Sequence, residues 1–157
     1  MASAASTPPD ASATASTFLF EVDGVEIGRF TEVEGLELHV EVFRHEEGGA
    51  NGFVHELPGR VDWPHLVLRG GLTKANSLEK WIHSTVGEGA AGNNQKLERS
   101  TGAITLMTSD GSRVRSWEFE GAFPVRWRGP RFSVNEAQLP SEEIEISHRG
   151  LRARDLS

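Results

Sequence analysis

The side chains able to do chemistry in this 157-residue chain are six histidines and 23 carboxylates, and their spacing limits what they can do. Cysteine is absent, which excludes a disulfide scaffold, a thiolate metal site and a cysteine nucleophile together. A zinc site built on a helix needs two histidines four positions apart, and no pair has that spacing. His39 and His45 lie six apart, roughly 20 Å on an extended strand and too far to share an ion. Gly87, Gly89 and Gly92 spell G-x-G-x-x-G. A dinucleotide fingerprint must follow a strand and open a helix, whereas this one follows helical residues, where the dipole is negative. No G-x-S-x-G elbow is present. Glu46-Glu47 and Glu142-Glu143 are adjacent carboxylates, which a strand would send to opposite faces as solvated charges. A glycosidase-like pair drawn from separate strands is the one hydrolytic alternative left. No catalytic, cofactor-binding or metal-ligating residue is therefore expected, and no cofactor.

Charge and composition narrow the partners. The net charge of -7 disfavours nucleic acid and anionic membranes, although Arg126, Arg128 and Arg131, and Arg149, Arg152 and Arg154, leave room for small basic areas. No apolar run approaches the ~20 residues of a membrane-spanning helix, so no membrane anchor is expected. The opening residues lack the basic start and apolar middle of a secretory signal, so export by that route is not expected. Residues 1–17 are almost all Ala, Ser, Thr and Pro. They read as a flexible tail, with an arm ordered by a neighbouring subunit as the rival reading.

The elements that must position any site are mostly strands. Phe18–Val22 and Val25–Phe30 flank Asp23-Gly24, a hairpin signal because a type I′ turn needs positive φ at both central residues. Leu36, Leu38, Val40 and Val42 alternate with Glu37, His39 and Glu41, which predicts a half-buried strand with one wet face. Arg44 to Gly59 carries Gly48-Gly49, Asn51-Gly52 and Pro58-Gly59 and reads as a long loop. A strand follows at 65–69. One helix is predicted at about 77–86, with Leu78, Trp81, Ile82 and Val86 on its apolar stripe, Asn76 as N-cap and Gly87 as the terminator. Residues 88–96 read as a second loop. Strands at 103–108 and 113–119 around Asp110-Gly111 predict a second hairpin, with further strands at 123–127 and 142–148. Trp117 and Trp127 are expected to fill the core. The fold class is mainly β, an antiparallel β-sandwich or barrel of seven or eight strands with one flanking α-helix.

Several blocks, in order, resemble the tail-tube family of contractile phages and phage-tail-like injection particles. They run from Phe18–Phe30 and Glu32–Leu36 through Glu46–Gly52, Leu57–Gly59 and Leu66–Thr73. They continue with Trp117–Phe119, Phe123–Trp127, Gly129-Pro130 and Ile144–Leu151. The haemolysin-coregulated tube protein of type VI secretion is distantly similar. The resemblance covers residues 18–151 as one tail-tube-like domain and leaves 152–157 as a C-terminal tail. It implies a non-enzymatic, hexameric ring stacked into a hollow tube inside a contractile sheath. Baseplate and spike proteins are the implied neighbours, and cargo protein or DNA fills the lumen. Assembly would take place in the bacterial cytoplasm. Pro140 departs from the pattern, since it would break or bulge the last strand.

Within that resemblance two sets of residues are candidates. Six copies would carry -42, and Glu37, His39, Glu41, Glu143 and Glu145, on polar strand faces, are the candidate lumen lining that repels acidic cargo. Glu46, Glu47, Asn51 and Gly52, in the long loop, are the candidates for stacking ring on ring. The alternatives are a tube-initiator or tube-terminator ring of the same particle, or a monomeric carbohydrate- or peptide-binding β-sandwich using the four tryptophans.

Overall fold

The computed structural model describes residues 15–46, 48–49, 52, 54–86, 100–131, 133–135 and 140–156. They form, in order, β1 (Ala15–Val22), β2 (Val25–Phe30), β3 (Glu32–Glu34), β4 (His39–His45), β5 (His55–Asp62), β6 (Leu66–Thr73), α1 (Ala75–Val86), β7 (Ser100–Thr108), β8 (Arg113–Arg128), β9 (Glu142–Ser147) and β10 (Gly150–Asp155). Every pairing is antiparallel. The order β8-β7-β1-β2-β6-β9 returns to β8, so six strands close a barrel and the sandwich alternative falls away.

Closure depends on strands that change neighbours. β2 and β3 run end to end along β6, with Arg29 opposite Leu72 and Glu32 opposite Arg69. β9 and β10 run end to end along the 16-residue β8, with Ser147 opposite Phe123 and Gly150 opposite Glu120. Between those two partners β8 turns at Gly121, whose φ of 63° favours glycine, and the ladder shifts register just after Pro124, which has no N–H to give it.

Alternation supplies the core. Phe20 of β1, Ile27 and Phe30 of β2, Leu66 and Leu68 of β6, Ile104 of β7, Phe119 of β8, and Ile144 and Ile146 of β9 are buried together. Each of the six barrel strands thus contributes its inward face. Helix α1 adds Leu78 and Trp81, and the Trp81 ring meets Phe20 edge-on at 5.5 Å. The first hairpin turns as expected, with φ of 48° at Asp23 and 79° at Gly24.

Several expectations are corrected. The described residues hold an eight-stranded sheet, as the expected count of seven or eight has it, and a separate two-stranded ribbon that the sequence did not announce. β1 begins at Ala15, inside the stretch read as a tail, because backbone pairing with β7 needs no apolar side chain there; residues 1–14 lie outside the described residues. β10 extends to Asp155 and occupies most of the presumed C-terminal tail. The helix starts at Ala75, because the Lys74 carbonyl accepts the Leu78 N–H at 3.0 Å, so Asn76 sits inside the helix rather than capping it. Gly87 and the loop at 88–96 lie outside the described residues. The segments 113–119 and 123–127 are one strand. Pro140 precedes β9 and does not interrupt it. Trp127 is 47% exposed, its indole N–H donating to Glu142 at 3.2 Å, while Trp117 is half-buried against the core.

The largest correction concerns β4 and β5. Residues 35–38 are not strand, β4 starts at His39, and among the described residues it pairs with β5 and no other strand. The two ends of the presumed loop from Arg44 to Gly59, at 44–45 and 55–59, belong to this two-stranded ribbon, with Pro58-Gly59 tolerated beside a register shift. The alternation is present, but neither face of the ribbon is covered by the barrel.

The ribbon is rooted at Gly35, which has a φ of +90° and whose missing Cβ would fall 2.1 Å from the His65 carbonyl oxygen. Gly35→Ala is therefore expected to cost about 1–3 kcal/mol of stability, read from the denaturation midpoint. An unchanged midpoint would show that this backbone is not pinned.

Candidate functional site

Three surfaces remain once the barrel has closed. The first is the ribbon. Leu38, Val42, Phe43, Leu57 and Val61 are large apolar residues left exposed, Phe43 at 55% and Leu57 at 56%. Directly opposed residues share a face, so Phe43 and Leu57 lie together on the side that also carries His39, Glu41, His45, His55 and Asp62. Val40, Val42, Pro58 and Val61 share the other side with the Arg44–Glu56 ion pair at 3.4 Å. Gly59 lets the backbone lie close under the Phe43 ring, since a Cβ would stand 2.5 Å from it. At the root His148 sits in contact with the Pro64 carbonyl through Nε2 at 3.1 Å, and the Trp63 ring lies 5.8 Å from its imidazole.

The second surface is a ladder of charges on the outer face of β3, β6, β9 and β8. Arg69 donates to Glu143 at 2.7 Å and pairs with Glu34 at 2.9 Å and Glu32 at 3.5 Å. Arg126 lies 3.5 Å from Glu143 and 3.2 Å from Glu145, and Glu145 also meets His65 at 2.8 Å. These carboxylates point out because Ile144 and Ile146, between and beside them, point in. The hydrogen bond from Arg69 holds the Glu143 carboxyl below the ordinary carboxylate range, against its partial desolvation and with help from Arg128 and Arg126. Glu143 and then Glu34 in turn raise the Arg69 guanidinium.

A group whose folded pKa is depressed stabilises the fold above its unfolded value and loses that contribution as pH falls through the folded value. Glu26, paired first with Lys74, and Asp110, bonded first by Thr108, are depressed in the same sense. Stability should therefore decline as pH drops below about 4, where an unfolded carboxylate takes up its proton. Glu143→Gln cannot ionise and should give a shallower decline in pH-dependent denaturation; an identical slope would contradict the ladder's role.

The third surface is the outer edge of β10, which among the described residues pairs with β8 alone and carries Arg152, Arg154 and Asp155. Charged side chains along a free edge discourage random pairing with other strands.

The candidates named from sequence fall on different elements. Glu143 and Glu145 are brought together by Arg126. His39 and Glu41 lie on the ribbon and Glu37 on the link before it, so the five residues do not form one wall. Nor are Glu143 and Glu145 a bare acidic pair, since guanidinium groups flank both. Glu46 and Gly52 are exposed at the ribbon's tip, while Glu47 and Asn51 lie outside the described residues. Sequence reading missed Arg69 and His65, whose signal was only their position on the polar face of a recognised strand. Among the described residues no cluster of three or more His, Cys, Asp or Glu is placed to hold a metal ion, and no helix is long and apolar enough to cross a membrane.

Comparison with known proteins gives a family. Residues 14–152 match the family model described as T4-like virus tail tube protein gp19. No curated protein matches the chain. Among solved structures, a chain of the sheath-tube complex of an extracellular contractile injection system, PVC, in the extended state is 21% identical, with a TM-score of 0.67 over 88% of both chains. A chain of the anti-feeding prophage tube terminating cap is 20% identical, with a TM-score of 0.67 over 88% of both. One from the six-fold symmetrised anti-feeding prophage baseplate is 22% identical, with a TM-score of 0.64 over 88% of this chain and 91% of that one. At such identities the likeness is one of fold.

Proposed function

The chain belongs to the T4-like virus tail tube protein family, and on that basis we propose that it is the inner-tube subunit of a contractile injection particle or phage tail. In this reading six copies form a ring, rings stack into a hollow tube, and a contractile sheath surrounds it. The partners are further copies of the chain, the sheath, and the baseplate and spike. The role is structural and has no catalytic step, and assembly takes place in the bacterial cytoplasm.

One observation beyond the family match carries the reading. A finished barrel presents a ribbon with Leu38, Val42, Phe43, Leu57 and Val61 in solvent, surface for which a monomer has no use. Ring-to-ring stacking is assigned to the loop candidates Glu46, Glu47, Asn51 and Gly52, of which Glu46 and Gly52 stand exposed at the ribbon's tip. Of the lumen candidates, Glu143 and Glu145 are kept, and with Arg69 and Arg126 they would make a wall of alternating sign. Such a wall favours cargo of neither charge, protein or DNA, and would limit sticking during ejection.

A second reading, a tube-initiator or tube-terminator ring, has support from the fold's near-equal likeness to chains of a cap and a baseplate. The monomeric sugar-binding alternative has less support, since Trp81 is buried, Trp117 is half-buried and Trp127 is bonded to Glu142. Light scattering on the purified chain separates these readings. A ring or tube reading expects a mass of six chains of 17.2 kDa, or multiples of it. A single-chain mass at every concentration would count against the tube and for the binding module.

A further inference from the structure

Among the described residues, the ribbon and its roots carry four carboxylates without an ion-pair partner, Glu37, Glu41, Glu46 and Asp62. Arg60, beside the register shift, is the one unpaired guanidinium there. At the far end of β8 the sign reverses. A cleft of about 240 Å³ is lined by Arg69, Arg128, Arg131, Ser141, Glu142 and Glu143. Both of its carboxylates are already engaged, Glu143 by Arg69 and Glu142 by Thr73 and Trp127. Arg128 acts on Glu143 only through space, and Arg131 has no partner among the described residues.

We propose that this arginine cleft receives the acidic root of the ribbon from a second copy of the chain, with Glu41 and Asp62 of one copy meeting Arg128 and Arg131 of the next. Asp62 stands opposite His39 and Glu41 two residues beyond it, so both carboxylates occupy one face, at a diagonal spacing of about 7–8 Å. Arg128 and Arg131 are three residues apart across Gly129-Pro130. Phe43 follows Glu41 on the same face of the ribbon, so the acidic pair has an apolar neighbour. The donor and acceptor patches lie on different parts of the chain, which makes the contact head-to-tail, the type that closes into rings. Charge complementarity of this kind fixes register and excludes wrong pairings. The proposal rests on the self-assembly reading and adds the residues that would join neighbours.

The absence of native cysteine allows a clean test. Single-cysteine chains E41C and R128C are mixed under mild oxidation, and disulfide-linked heterodimer is compared with that from E41C mixed with K80C on the helix. A yield about tenfold above the control is expected, because docking raises the local thiol concentration. Equal yields would overturn the proposal. As a second arm, the charge reversals E41R/D62R and R128E/R131E should each lower the assembled fraction, and mixing the two variants should restore it. Rings or tubes that form with no cross-link enrichment and no rescue would defeat this contact while leaving the tube reading intact. A single-chain mass with no enrichment would defeat both.

Discussion

Phe119→Ala should cost about 3–5 kcal/mol, the usual penalty for emptying a buried aromatic site. The ring is fully buried, stacks on Phe20 with centroids 6.1 Å apart, and lies 5.9 Å from the His148 imidazole. It also explains a glycine. Gly102 stands opposite Phe119 in the β7–β8 pair, and a Cβ there would fall 2.2 Å from the Phe119 ring edge. The aromatic fills the space that the glycine leaves, so the two positions are energetically one. Gly102→Ala alone should destabilise by roughly 1–3 kcal/mol through overpacking. In the Phe119→Ala background the same change should cost much less. A double-mutant cycle by chemical denaturation should therefore give a coupling of at least about 1 kcal/mol. Additive effects would mean that the ring does not occupy the space over Gly102.

The second large effect falls on assembly rather than on folding. Phe43→Asp paired with Leu57→Asp places two charges on the apolar centre of a ribbon face that none of the described residues covers. Stability should change by no more than about 0.5 kcal/mol per site, as for other exposed positions. Association should weaken by a factor of about 100 or more, because a buried aromatic anchor commonly contributes 2 kcal/mol or more to an interface. Sedimentation of the folded variant beside the parent measures both. A variant that assembles as well as the parent would remove the ribbon's apolar face from the interface.

The parts legible in the sequence were those governed by local rules. Asp23-Gly24 announced its turn because only a narrow set of residues accepts positive φ twice in succession. Leu78, Trp81 and Ile82 announced the helix because their spacing matches its period. Ile144 and Ile146 marked the inward face of β9, and by the same alternation Glu143 and Glu145 marked its outer one.

What was not legible depended on partners distant in the chain. The pattern from Leu36 to Val42 is that of a half-buried strand, yet among the described residues Leu36 packs against the core while Leu38 and Val42 stay exposed. Periodicity reports which side a residue faces and is silent about what lies on that side. Closure of the barrel through β9, some 80 residues from its neighbour β6, left no local trace. The arginines that neutralise Glu143 and Glu145 come from β6 and β8, so an acidic wall became a ladder of alternating sign only when three strands were placed side by side. The C-terminal residues 152–155 read as a tail because a charged edge strand looks, in one dimension, like a solvated one.

Electron microscopy of the purified wild-type chain, at its highest soluble concentration and with the ribbon intact, tests the central claim most directly. The account predicts six-fold rings with an open centre, alone or stacked into hollow tubes. Closed globules of one chain, or assemblies without a central channel, would contradict it.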